Sequence, residues 1–305
     1  MRHRLELLLV RAVMAFVRPL PMRTVRDIGH RLGRLAFYVD NSRRRIAVEN
    51  LTRAFPSRSR AEIEGIARAV FAHFAAVLLE LLKFATVTEA EMMALVDVEG
   101  ADRVNQAYQH GRGVLLMTGH FGYWEVHGIM LARHTRPSSV LARPLDNPHL
   151  HEMLERIRCR TGNSVIYRQG AVRRILRELM ANRGVAVLFD QHLHTPDAIY
   201  VDFFRRPAAT TSAIGALAAR TGAAVIPAFA FPISDGRYRL VYDHPVEPPR
   251  DDTPEAIREF TQRCTDVLEM YVRRNPELWL WMHRRWRNSP ESSPNGSVSE
   301  AGVDG

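Results

Sequence analysis

Three apolar runs, residues 113–118, 138–142 and 184–189, are too short for buried helices, and each is closed by a residue able to do chemistry: His120, Arg143 and Asp190. A fourth run, 223–226, has the same texture. Segments of helical spacing separate them, at 149–161, 171–182 and 211–221, the last closed by Gly222. Continuous rather than alternating apolar residues mean that both faces of each strand are buried. The pattern predicts an α/β fold: a mixed, largely parallel sheet covered by helices on both faces. Residues 237–242 alternate like an edge strand, and 255–274 reads as a closing amphipathic helix. Ligands of such sheets gather beyond the strand ends, so His120, Arg143 and Asp190 mark one end of the sheet.

The first hundred residues read as helices. Residues 25–39 have helical spacing, Arg43, Arg44 and Arg45 open another helix that breaks at 54–57, and a long pattern from Ser59 or Arg60 to Leu82 is too apolar to be solvated. Residues 5–17 are mostly apolar but interrupted by Glu6 and Arg11. As a helix they reach about 20 Å, short of a ~30 Å hydrocarbon core, and Pro19 and Pro21 follow. They are expected to form an N-terminal membrane-associating helix, with Arg2, Arg4, Arg11, Arg18 and Arg23 at the headgroups. The other reading is an amphipathic helix docked on the domain. The expected division is membrane-associating helices at 1–40, a catalytic domain at 41–288, and a disordered tail rich in Ser, Pro and Gly at 289–305.

With 305 residues, 46% of them hydrophobic and 25% charged, the chain can bury a core and is not a disordered protein. Its net charge of +9 is carried almost wholly by arginine, since Lys83 is the only lysine. Arginine forks match phosphate and carboxylate, so anionic partners are expected. Nucleic acid and anionic membrane fit the charge equally. The basic residues are spread through helices and no recognition motif appears, so no nucleic-acid partner is expected. Cys159 and Cys264 lie far apart and read as free structural thiols.

The segment 118–125, Thr-Gly-His-Phe-Gly-Tyr-Trp-Glu, places a histidine and a carboxylate five residues apart just after a strand. With His120 in the turn and Glu125 in the first turns of the next helix, Glu125 can accept from one imidazole nitrogen and fix the tautomer. The other nitrogen then takes a proton from a hydroxyl. An isolated pair at this spacing is more often a capping histidine and a solvated glutamate. No Gly-x-Ser-x-Gly is present to support a serine hydrolase. His192 and His194 beside Asp190 lack a further ligand set, so no metal is expected. Arg168, Arg173 and Arg174 read as a solvated charged face, and His127, His134 and His283 as ordinary structural histidines. Trp279, Trp281 and Trp286, among Arg284, Arg285 and Arg287, fit either a membrane interface or a core with snorkelling arginines.

Companion motifs lift the His–Glu pair above chance. In order they are Asn50-Leu-Thr-Arg-Ala-Phe-Pro56, the 118–125 segment, Arg143-Pro-Leu-Asp-Asn-Pro148, Asp190-Gln191, Val201-Asp-Phe-Phe-Arg-Arg-Pro-Ala-Ala-Thr210, Ala223-Ala-Val-Ile-Pro-Ala-Phe229 and Trp281-Met-His-Arg-Arg-Trp286. From about Arg43 to Arg287 the chain resembles the bacterial lipid A biosynthesis acyltransferases, within the wider lysophospholipid acyltransferase superfamily. The resemblance implies acyl transfer from acyl-carrier protein or acyl-CoA to a glycolipid acceptor, without cofactor or metal, at the cytoplasmic face of a bacterial inner membrane. It implies His120 as general base, Glu125 as its orienting partner, Arg143 as a contact to the acceptor's phosphate, Asp190 and Gln191 in the block shaping the acceptor site, and Pro227 as a strand-end proline. Arg205 and Arg206 are candidates for headgroup contacts. One position departs: Tyr123 stands where the family usually has Asn, which sets a phenol beside the base and bears on the acceptor. Enzymes acting on phosphatidylinositol mannosides share these motifs. A peripheral lipid-binding protein would keep everything except the dyad.

Overall fold

The apolar runs form the middle of a seven-stranded sheet in a computed structural model that describes residues 1–167, 170–193, 195 and 198–287. Elements follow in the order α1 (Arg2–Val17), α2 (Met22–Val39), α3 (Asn41–Ala54), α4 (Arg60–Phe84), α5 (Glu89–Ala94), β1 (Val96–Glu99), α6 (Ala101–Gln109), β2 (Val114–Thr118), α7 (Trp124–His134) and β3 (Ser138–Ala142). Then come α8 (Pro148–Cys159), β4 (Ser164–Tyr167), α9 (Ala171–Met180), β5 (Gly184–Leu188), β6 (Ala198–Phe203), β7 (Arg206–Thr211), α10 (Ala213–Thr221), β8 (Ala224–Pro232), β9 (Tyr238–Tyr242) and α11 (Pro254–Arg274).

The sheet order is β1-β9-β8-β2-β5-β3-β4. Only the β8–β9 pairing is antiparallel, so the sheet is mixed and largely parallel, as expected. Alternate residues of β2 serve opposite faces. Leu115 and Met117 join a cluster with Val70, Phe71, Leu179, Phe260 and Leu268 from α4, α9 and α11. Val114 and Leu116 join Val104, Tyr108 and Leu131 from α6 and α7 on the other side. Both faces are therefore covered, and β2 is buried along its whole length.

The strand expected at 223–226 runs on to Pro232. Pro227, expected at a strand end, lies inside it, where the strand changes partners. Pairing with β2 stops at Met117↔Pro227, and pairing with β9 begins at Ala228. Proline has no N–H for a ladder, so it suits a handover of this kind. β1, β4 and the β6–β7 hairpin were not expected. The hairpin turns through Phe204 and Arg205, both at positive φ (54° and 57°), without the Asn-Gly signal usual for such turns.

The long apolar pattern is α4, started by a capping box in which Ser59 and Glu62 exchange hydrogen bonds. By length and composition it could cross a membrane, but half of its most apolar window is buried inside the protein. α2 packs along it, and Arg26 of α2 meets Glu80 of α4 at 2.9 Å in the interior. α1 buries only Val17 and leaves Leu5, Leu8, Leu9 and Phe16 exposed. It is tied down by Asn147, whose side chain donates to His3 O (2.9 Å) and Glu6 Oε2 (2.8 Å). The expected tail at 289–305 lies outside the described residues, as do Arg168 and His194.

Candidate active site

Sheet register brings the first two functional residues together. β2 and β5 are neighbouring parallel strands in which Thr118 lies opposite Leu188. His120 and Asp190 each follow two residues later, so they leave adjacent strands, roughly 5 Å apart, at the same height. The Asp190 carboxylate accepts three hydrogen bonds. Its Oδ1 takes His120 Nδ1–H at 2.8 Å, and its Oδ2 takes the His120 backbone N–H at 2.7 Å and the Trp279 indole N–H at 2.8 Å. Gly119 makes room for this: a Cβ there would stand 2.8 Å from Asp190 Oδ2.

The turn after His120 is fixed on both sides. Gly122 (φ 56°) passes so close to the Ala230 carbonyl that a side chain would collide with it. Its N–H donates to Leu278 O at 2.8 Å, and Leu280 N–H donates to His120 O at 3.1 Å. A strap of chain at 278–286 therefore runs alongside 120–122 and delivers Trp279 to Asp190. Farther along, Asn50 of α3 donates to Trp281 O and His283 O, both at 2.8 Å. Trp279, Trp281, Trp286 and Arg285 are all buried, so these tryptophans are core residues and not a membrane belt. Arg285 donates to Ala209 O at 2.6 Å, joining the strap to β7.

The two members of the His–Asp pair differ in exposure, with the His120 side chain 21% accessible and that of Asp190 2%. Burial alone would push the His120 pKa down, but the Asp190 carboxylate outweighs it and the net direction is up. Burial likewise opposes ionisation of Asp190, and the imidazole together with the surrounding N–H donors outweighs it, so its pKa is lowered. With Nδ1–H engaged by Asp190, Nε2 carries the lone pair. It faces the Gln191 side-chain amide at 3.2 Å, which must be the donor in that contact.

Glu125 is not the carboxylate on the imidazole. It sits in the first turn of α7 and forms a two-pronged ion pair with Arg158 of α8, one contact being Arg158 Nε to Glu125 Oε2 at 2.9 Å. Helical geometry from residue 124 onward carries the side chain toward α8, while the strand-end register supplies Asp190 to the ring instead. Glu125 stays near enough for its charge to help raise the His120 pKa. Burial disfavours the Arg158 cation, and Glu125 more than compensates, so its pKa is raised.

Tyr123 does not stand beside the base. Its N–H donates to Ala230 O (2.9 Å) and its phenol donates to Glu80 Oε1 (2.7 Å). There it joins Arg26 and Tyr238 in a buried cluster. Tyr123 thus anchors the turn from below.

The other expected residues are more dispersed. Arg143 is exposed just past β3, two strand spacings or about 10 Å from β2 across the sheet. Arg205 is exposed at the tip of the β6–β7 hairpin and Arg206 begins β7. That hairpin packs on the strap through Phe203–Trp279 and Phe204–Trp281. Arg173 and Arg174 lie on the solvent face of α9. Sequence reasoning missed Arg158, which has no local signal. It also missed the roles of Trp279, which lies just before the 281–286 motif, and of Asn50, which opens the 50–56 motif. No group of three metal-binding side chains occurs among the described residues.

A strand-end histidine with Nδ1 tied to a dry carboxylate and Nε2 turned outward is equipment for taking a proton from a hydroxyl. The chain belongs to the bacterial lipid A biosynthesis acyltransferase family, whose model matches residues 2–288. It is 28% identical over 273 residues to the lipid A biosynthesis myristoyltransferase of Escherichia coli K12, covering 89% of this chain and 83% of that one. To the lipid A biosynthesis lauroyltransferase of the same organism it is 26% identical over 289 residues, covering 93% and 92%. To the phosphatidylinositol mannoside acyltransferase of Mycolicibacterium smegmatis it is 25% identical over 227 residues, or 73% of each chain. The protein is thus an O-acyltransferase of the lipid A biosynthesis family.

Proposed function

We propose that the protein transfers a fatty acyl group from the thioester of an acyl-carrier protein to a hydroxyl of a lipid A-type glycolipid precursor. The observation that carries this reading is the His120–Asp190 contact, which leaves Nε2 as the acceptor of a proton. The acceptor hydroxyl displaces the Gln191 amide from Nε2, gives up its proton to the ring, and attacks the thioester carbonyl. The C–O ester bond forms as the C–S bond breaks, and the imidazolium returns its proton to the departing thiolate. Asp190 holds the tautomer and stabilises the transient cation. Glu125, held by Arg158, adds negative charge near the ring. Arg143 and Gln191 serve the acceptor, with Arg205 and Arg206 as further anion contacts.

The exposed Leu5, Leu8, Leu9 and Phe16 of α1 support a membrane-associating segment at 1–40 beside a catalytic domain at 41–288. The location proposed is the cytoplasmic face of a bacterial inner membrane. An acidic carrier suits a chain of net charge +9. A second reading has a phosphatidylinositol mannoside as acceptor, favoured by the mycobacterial relative's name, with acyl-CoA as its donor.

The test offers labelled acyl-carrier protein and acyl-CoA separately to a lipid A precursor, with membranes carrying the wild type or His120→Ala. Product from the wild type and none from the variant at equal protein level is the expected result. Folded, membrane-bound wild type that makes no product from either donor would eliminate the lipid A acceptor. A wild type inactive on every hydroxyl acceptor would return the protein to lipid binding alone.

A further inference from the structure

An open cavity of about 510 Å³ lies between α3 and residues 284–287. Arg45, Glu49 and Arg53 line it from α3 at intervals of four, which sets them on one helix face. Arg284 and Arg287 face them from the strap. All four arginines are exposed. None is in an ion pair among the described residues, whereas nearby Arg43 and Arg60 pair with Asp40 and Glu64. Four guanidinium groups thus share a groove with the single carboxylate of Glu49. A protein surface that gathers like charges without neutralising them is built for a partner of opposite sign.

We propose that this groove is the docking site for an acidic helix of the carrier protein that presents the acyl thioester. The proposal rests on the acyl-transfer reading above and adds to it the surface that receives the donor. Two observations select this partner. None of the exposed large apolar residues among the described residues lines the groove; they lie on other elements, including α1 and α2. A membrane-inserting surface exposes apolar side chains among the basic ones, whereas the apolar residues lining this groove, Ile46 and Trp286, are half-buried or buried and its exposed residues are charged or polar, which fits an acidic protein surface. The groove also shares its wall with the site. Asn50, at its floor, grips the strap by two carbonyls, and Trp279 of the same strap donates to Asp190. From residue 279 to 284 an extended chain spans at most about 18 Å. A carrier seated on the arginines therefore stands one thioester arm from the base.

The test uses the full chain in lipid vesicles and compares wild type with the double variant Arg45→Glu/Arg287→Glu and the milder Arg45→Gln/Arg287→Gln. Asn50 is left intact because it holds the strap. Steady-state rates are measured with acyl-carrier protein and, separately, with acyl-CoA, at two ionic strengths. The expected result is a KM for the carrier raised about tenfold or more in the Glu variant, less in the Gln variant, with kcat at saturation kept within about twofold. The salt dependence of the carrier reaction should flatten in both, and the acyl-CoA reaction should be unaffected. An unchanged carrier KM in variants that melt like wild type would overturn the proposal. So would an equal loss with both donors, which would mark a phosphate site common to thioesters, or loss of vesicle binding alone, which would mark a membrane contact. Absence of wild-type transfer from either donor would instead count against the acyl-transfer reading itself.

Discussion

His120 Nδ1 lies 2.8 Å from Asp190 Oδ1 although the two residues are 70 positions apart, and the imidazole tautomer follows from that contact. A carboxylate only accepts hydrogen bonds, so the ring must carry its proton on Nδ1 and expose a basic Nε2.

Replacing Asp190 by Asn keeps the shape but lets the side chain donate to Nδ1, favouring the tautomer in which Nε2 holds the proton. kcat for acyl transfer is expected to fall on the order of 10²- to 10⁴-fold. Glu125→Gln is expected to cost far less. Rates for both variants in one transfer assay decide the matter. A larger loss in the Glu125 variant would give the orienting role back to Glu125.

The pH profile carries the same information. The proposed base, His120, can take a proton only when neutral, and its pKa is raised because Asp190 outweighs burial. The acid limb of kcat/KM should therefore lie above the ordinary histidine value of about 6.5. In Asp190→Asn burial is opposed only by the smaller influence of Glu125, and residual activity should show a limb displaced downward. For folding the signs differ. His120, with a raised folded pKa, stabilises fully below its unfolded value and loses that contribution as pH rises through the folded one. Asp190, with a lowered pKa, stabilises above its unfolded value and loses it as pH falls through the folded one. A His120 proton titration by NMR that fell below an ordinary histidine would refute the first statement.

Much of this site was legible in the sequence because strand ends announce themselves. His120, Arg143 and Asp190 stop apolar runs, and parallel pairing in register placed two of them on adjacent strands. The role of Asp190 was not legible, since which strands are neighbours depends on sheet order, and β5 reached β2 through a choice of topology that no local pattern encodes. Glu125 drew attention through sequence proximity, yet five residues spanning a turn and a helix start set its carboxylate toward α8. The tryptophans of the strap read equally as interface or core, because an aromatic flanked by arginines has the same composition in both. The β6–β7 hairpin escaped notice because its turn uses Phe204 and Arg205 at positive φ, where sequence signals favour Gly and Asn.

Glu125 and Arg158 have side chains only 13% and 14% exposed, so neither is solvated well enough to lose its partner cheaply. Removing either charge is expected to destabilise the fold by about 3 kcal/mol, at the low end for a buried pair because some water reaches it. The double variant Glu125→Gln/Arg158→Gln should lose less than the sum of the single variants, with a coupling of roughly 1–3 kcal/mol. Urea or thermal unfolding of the four proteins measures it. Additive losses would mean that the two side chains do not interact in solution.

Tyr123 separates stability from selectivity. Its phenol donates to Glu80 Oε1 at 2.7 Å, while Arg26 Nε holds the same oxygen at 2.9 Å and Tyr238 donates to the other oxygen. Glu80 is fully buried. Burial opposes the Arg26 cation, but Glu80 outweighs it and holds the Arg26 pKa above its usual value. Tyr123→Phe removes one hydrogen bond to a charged group in a dry site, an expected cost of about 1.5–3 kcal/mol in unfolding free energy. Tyr123→Asn should cost at least as much, since the shorter side chain leaves a void as well as an unpaired oxygen. Neither change reaches the face of His120, because the phenol points into the α2–α4 core and only the backbone of residue 123 borders the turn. kcat/KM below the melting range and the ranking of acceptors are therefore expected to stay within about twofold of wild type, a spread of under 1 kcal/mol. A changed acceptor ranking at unchanged stability would place Tyr123 in the acceptor site and contradict its assignment to the core.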